Sequence, residues 1–138
     1  MKQHHTKTLG DLGVLKAQVD LYKKGFWVSI PLTEHAPFDL VITKGSQSQT
    51  VQVKTRNIDK SGVIQISFRQ SYSDKNGVHT VQWDKEEIDL VCIYCPQKDE
   101  CYYFNPKIFN KSLTLRVETP KNNQKTDVKF ASDYREVP

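Results

Sequence analysis

Pro37-Phe38-Asp39-Leu40, a polar turn, then Val51-Gln52-Val53-Lys54-Thr55: the reading of the whole chain turns on this stretch. Phe38 to Thr43 is short, β-branched and aromatic, and Thr50 to Thr55 alternates, so both read as strands joined across the turn Gly45 to Gln47. On a strand, residues two apart share a face, so Gln52 and Lys54 project together while Val53 turns to the core. Paired as a hairpin, the two strands bring Asp39 within reach of both. That grouping suits phosphodiester cleavage. An aspartate anchors a divalent cation, the Val53 carbonyl adds a second hard ligand, and a nearby lysine orients or deprotonates the attacking water. Asp11, near the start of the preceding helix, offers a further oxygen.

Upstream, Leu12, Leu15, Val19 and Tyr22 recur at spacings of three and four between Thr8 and Lys24, the stripe of an amphipathic helix that Gly25 stops. Phe26 to Ile30 reads as a strand closed by Pro31. Downstream, Val63 to Gln70 alternates, with Ile64, Ile66 and Phe68 on one face and Gln65, Ser67 and Arg69 on the other. The turn Ser73-Asp74-Lys75-Asn76-Gly77 leads into a returning strand, Val78 to Trp83. Ile88 to Tyr94 and Cys101 to Phe104 form a further hairpin, Asn105 to Asn110 a helical turn, and Leu113 to Val117 a last strand. From about residue 119 the chain is polar, and we expect it to be loose.

With 138 residues, 37% apolar and 26% charged, the chain has the size and composition of one globular domain, which we take to span 1–138. No apolar run approaches the length needed to cross a bilayer, and Met1-Lys2-Gln3-His4-His5 lacks the apolar stretch of a secretory signal, so the expected location is the cytoplasm and no membrane is involved. Three cysteines make no disulfide framework. The net charge of +4 is modest, but basic residues dominate from Lys44 to Lys75 while Trp83 to Glu100 is acid-rich. Such asymmetry can present a phosphate-facing surface.

An aspartate beside one strand and a lysine on the next are in most sheets a solvated pair. Here they occur with further segments in a fixed order: Gly10-Asp11-Leu12-Gly13 opening a helix, Gly25-Phe26-Trp27-Val28, Pro37-Phe38-Asp39-Leu40, Val51-Gln52-Val53-Lys54-Thr55 and Ile88-Asp89-Leu90-Val91. Together they resemble the PD-(D/E)xK nucleases, and in particular the branch with a Q-V-K-T signature that includes endonucleases encoded in bacterial group I introns. The resemblance covers roughly residues 7 to 105. It implies an α/β (α+β) restriction-endonuclease-like core, in which an N-terminal helix precedes a mixed central sheet with additional hairpins. It also implies cleavage of double-stranded DNA with Mg2+ or another divalent cation such as Mn2+, by a homo-oligomer, dimer or tetramer.

Carried onto this chain, the resemblance makes Asp39, Lys54, Gln52 and Asp11 the catalytic set and Asp39, Val53, Gln52 and Asp11 the metal ligands. Two positions depart from the pattern. The second motif normally carries an acidic residue, and Gln52 can coordinate only through an uncharged amide oxygen. Related helices often carry glutamate where Asp11 stands, and some place another where this chain has Val14.

The polar face Gln65, Ser67 and Arg69, with Gln70 and Lys75 beyond it, is a candidate to read base edges from a two-stranded ribbon. Arg56 and Lys60, together with Lys107, Lys111 and Arg116, are candidate phosphate contacts. Cys92 and Cys95 have the spacing of a zinc pair, with Cys101 and His79 as further donors, but the second half of the usual pattern is missing and free thiols are commonly core residues. His4 and His5 receive no role. Competing readings are a structure-specific nuclease of the Holliday-junction-resolvase kind and a DNA-binding protein that keeps the fold without the chemistry, for which Gln52 speaks.

Overall fold

A computed structural model describes residues 5–118 and 127–138. Helix α1 (His5–Lys23) is followed by β1 (Trp27–Ser29), β2 (Leu40–Lys44), β3 (Gln47–Thr55), β4 (Val63–Ser67), β5 (Arg69–Asp74), β6 (Gly77–Gln82), β7 (Leu90–Cys95), β8 (Glu100–Phe104) and β9 (Ser112–Arg116). The central sheet runs β1-β2-β3-β7-β8. Only β3 and β7 lie parallel, Lys54 opposite Ile93; the other neighbours are antiparallel, so the sheet is mixed, as expected. This is the expected restriction-endonuclease-like arrangement of one helix, a mixed sheet and extra hairpins.

The helix ends where the sequence says it must. Gly25 adopts φ +92°, which a side chain would resist, and its N–H reaches Tyr22 O at 3.0 Å while Phe26 N–H reaches Leu21 O at 3.2 Å. The face that packs, however, is not the stripe with the largest residues. Gly13, Ala17 and Leu21 lie on the sheet, whereas Leu15, Val19 and Tyr22 stay 54 to 65% exposed. The reason is distance: a Cβ on Gly13 would run into Thr55 Oγ1, with Tyr94 already in van der Waals contact. Small residues one turn apart let the helix backbone settle on β3 and β7.

Two cores flank the sheet. One joins α1 to Leu40, Ile42, Val51, Val53, Leu90, Cys92 and Tyr103. The other gathers Val91, Ile93, Tyr102 and Phe104 under Ile64, Ile66, Phe68, Leu113 and Leu115. The long connection between β3 and β7 supplies part of that second layer, and β9 supplies the rest. Here the expected continuous strand Val63 to Gln70 is broken. Phe68 turns into the core and gives its N–H to Lys111 O at 2.9 Å, so β4 pairs with β9 and β5 starts a separate ribbon with β6.

The polar tail also differs from expectation. Residues 119–126 lie outside the described residues, but the chain beyond them returns to the body. Arg116 N–H donates to Lys129 O at 2.7 Å, and Ala131, which opens a 3-10 turn (Ala131–Tyr134), is buried in the second core. No helix among the described residues is long and apolar enough to cross a membrane.

Candidate active site

Asp39 lies one residue before β2, at the open end of the hairpin with β3: its N–H donates to Val51 O at 2.9 Å. The pairing starts only at Leu40 and Val51, while β3 runs on past it to Thr55. The outward N–H of Val53 therefore meets the Asp39 carboxylate instead of a strand, at 2.8 Å from Oδ2. Gln52 Nε2 donates to the same oxygen at 3.1 Å. Because a strand residue sends its N–H and C=O to the same side, the Val53 carbonyl opens toward Asp39 as well. Among the described residues no donor reaches Asp39 Oδ1.

Burial raises the Asp39 carboxyl above the usual carboxylate value, opposed by the Val53 N–H and by the Lys54 charge. Burial likewise lowers Lys54 below the ordinary lysine value, helped by Arg56 and opposed by Asp39. Both groups are thus pushed toward neutrality in one partly dry corner.

The helix is tied to this corner by Thr55, whose Oγ1 donates to Leu9 O at 3.1 Å. Asp11, by contrast, stands exposed on α1, and no group of three His, Cys, Asp or Glu side chains able to hold a metal occurs among the described residues. The oxygens that suit a hard cation are Asp39 Oδ1, the Val53 carbonyl and, if its amide turns over, Gln52 Oε1. They carry a single charge, so water and phosphate oxygens must complete the shell.

The expected DNA-facing residues divide between two places. Gln65 and Ser67 are exposed on β4, in the β4/β9 pair. Arg69 and Gln70 belong to the β5/β6 ribbon and Lys75 to its tip. On one face of that ribbon Arg69 pairs with Gln82 and Ser71 with Thr80, whose hydroxyls lie 3.4 Å apart. Ser71, Thr80 and Gln82 thus share the face of Arg69, a grouping that alternation counted through Phe68 does not reach. Arg56 is half-buried, with Nη1 on Thr55 O at 2.8 Å, and Lys60 is exposed in the loop that Asp59 shapes.

Other candidates resolve into structure. Lys107 pairs with Asp89 at 3.7 Å, and Arg116 donates to Ser61 O. The thiols do not converge: Cys92 and Cys101 belong to one core and Cys95 to the other, while His79 bonds Asp74 at 3.0 Å on the ribbon. Burial holds the Cys92 thiol well above its usual value. His4 lies outside the described residues.

The family model for PD-(D/E)XK endonuclease matches residues 4–137. The chain belongs to this family. Among solved structures, it is similar to a bacterial homing endonuclease, I-Ssp6803I, at 24% identity and a TM-score of 0.78, over 96% of this chain and 89% of that one. A Holliday junction resolvase, Hjc of Archaeoglobus fulgidus, matches at 16% identity and a TM-score of 0.47, over 78% of this chain and 83% of that one. No protein of curated function matches. The segments quoted for the resemblance, Asp39 before β2 and Gln52-Val53-Lys54 on β3, meet in the corner just described.

Proposed function

We propose that the chain is a metal-dependent endonuclease that cuts both strands of DNA at a specific site. The observation that carries this reading is Asp39 Oδ2 fixed by Val53 N–H at 2.8 Å, with no donor on Oδ1 among the described residues and the Lys54 charge felt at the carboxylate. A bound Mg2+ or Mn2+ supplies Lewis-acid polarisation of the phosphate and of a water. Asp39 and the Val53 carbonyl would hold it, Gln52 would join through Oε1 if its amide turned over, and Asp11, exposed on α1, would take part through water. Lys54, less basic than an ordinary lysine, accepts the proton of the water as that oxygen bonds to phosphorus and the leaving ester oxygen departs.

Double-strand cleavage calls for two such sites, so the active form is a homodimer or larger. The outer stripe of α1, with Leu15, Val19 and Tyr22 more than half exposed, supports a contact between copies. Arg69, Gln70 and Lys75 on the ribbon, with Gln65 and Ser67 on β4, supply base and phosphate contacts, and Arg56 and Lys60 further phosphate contacts.

Incubating the protein with a plasmid library of random inserts, large enough to contain its target, and with a four-way junction, in Mg2+ or Mn2+ and in EDTA, tests the reading. Metal-dependent nicking and linearisation of the plasmids that carry the target is expected. Cleavage confined to the junction makes the chain a resolvase-type nuclease. Intact DNA of both kinds, with duplex still bound, makes it a non-catalytic binding protein.

A further inference from the structure

Trp83 lies where the exposed ribbon meets the buried sheet. It follows β6, and its N–H donates to Phe68 O at 3.0 Å, one rung below the Arg69 to Gln82 pair, so it closes the base of the ribbon. Its indole stacks on Phe68 with centroids 5.5 Å apart and planes at 12°, and Phe68 stacks in turn on Phe104 of β8 at 5.6 Å. On the same indole, Lys54 Nζ lies 5.5 Å from the ring centroid. The indole Nε1 is buried and meets no acceptor among the described residues, so the ring is held by its faces alone. Beyond it, Lys85 anchors the chain by donating to Phe109 O and Asn110 O at 2.5 Å.

Trp83 therefore touches two things of different function: the root of the ribbon through its backbone, and the amine of Lys54 through its ring. The indole face attracts the ammonium form and bounds the space of the neutral amine, so the ring fixes where the amine sits in either state. Any force that tilts the ribbon bears on Phe68 and Trp83, because they are its last rung. We propose that Trp83 is a positioning residue that links the β5/β6 ribbon to Lys54, so that engagement of the ribbon by duplex DNA sets the placement of the amine and thereby the cleavage step. This rests on the endonuclease reading above. It adds that the ribbon governs the rate of cutting as well as the affinity for DNA.

Two arms test it, and the first needs no cleavage. The chain has two tryptophans, so Trp27→Phe leaves Trp83 as the single emitter. In that background Lys54→Met should change the emission of the free protein, and adding duplex DNA should change it again. Unchanged emission with Lys54→Met overturns the contact. Unchanged emission on duplex that anisotropy shows to be bound overturns the link.

The second arm compares Trp83→Phe, which keeps an aromatic face, with Trp83→Leu, which does not. Trp83→Leu should lower single-turnover cleavage by about tenfold to a hundredfold, the scale for a misplaced catalytic group, while the duplex Kd stays within about threefold. Trp83→Phe should retain most of the rate. Equal loss in both variants, or a loss carried by Kd, reduces Trp83 to a packing residue and overturns the proposal. If the parent protein cuts no DNA at all, the endonuclease reading fails, and the first arm still decides whether ribbon and lysine are linked.

Discussion

Val53 N–H donates to Asp39 Oδ2 at 2.8 Å across the point where pairing with β2 stops and β3 continues. A backbone donor that in a longer hairpin would serve a neighbouring strand serves a carboxylate here. It orients that carboxylate, and it counters part of the cost of burying it.

The remaining cost leads to the first prediction. Asp39→Asn and Lys54→Met should abolish cleavage yet raise Tm by a few degrees at pH 7, since each removes a charge held in a partly dry corner. The signs follow from proton linkage. Above pH 3.8 and up to its raised value, Asp39 keeps a proton in the folded chain that the unfolded chain has lost, so its contribution to stability falls as pH rises. Between its lowered value and 10.5, Lys54 has lost a proton that the unfolded chain keeps, so its contribution rises with pH. The gain from Asp39→Asn should therefore vanish below pH 3.8, and that from Lys54→Met above pH 10.5, in thermal melts across the range. A fall in Tm for either variant at pH 7 contradicts this.

Gln52→Glu should move the metal dependence of cleavage to lower concentration, because a second carboxylate joins Asp39. The same change removes the Gln52 Nε2 donor and sets two carboxylates side by side, so the metal-free protein should be less stable and Mg2+ should restore it. Melts with and without metal, beside an activity titration, read both effects. An unchanged metal titration would place Gln52 outside the site.

The two early helix glycines should respond oppositely. Gly13→Ala forces a methyl into Thr55 Oγ1 and should cost about 1 to 3 kcal/mol of overpacking. It should also slow cleavage, since Thr55 adjoins Lys54. Gly10 has open space around its Cβ position, so Gly10→Ala should gain up to about 1 kcal/mol from helix propensity. Urea denaturation of both variants measures the contrast.

Arg69→Ala should relax preference at particular base pairs by roughly 1 to 3 kcal/mol, the worth of a bidentate base contact. Lys60→Ala should instead weaken all sequences alike and flatten the salt dependence. Binding to a panel of single-base target variants at two salt concentrations tells these apart. A uniform loss for Arg69→Ala would make it a phosphate contact.

The placement of Asp39, Gln52 and Lys54 was legible because it depends only on strand alternation and one short hairpin. The face of α1 was not, since the helix carries apolar residues on both sides. Size suggests Leu15, Val19 and Tyr22, whereas close approach to Thr55 selects Gly13, Ala17 and Leu21. The split at Phe68 was hidden for a related reason: alternation carries on through the break, and the partner that causes it, Lys111, lies far along the chain. The parallel pairing of β3 with β7 has no local signature at all. The docking of Ala131 depends on Arg116 and Lys129, which polar composition conceals.

The β5/β6 ribbon is exposed along nearly its whole length and joins the body through one rung, Phe68 and Trp83. Its outer positions can therefore mutate almost without penalty to folding, because no core residue depends on what stands at Arg69, Ser71, Thr80 or Gln82. If the ribbon reads DNA and the Asp39 corner cuts it, as proposed above, a lineage of such proteins can wander between recognition sequences by neutral steps while that corner stays under constraint. For an engineer, the same separation makes those four positions the natural library: wide in sequence, low in the fraction of unfolded clones, and selectable on binding before cutting is ever assayed.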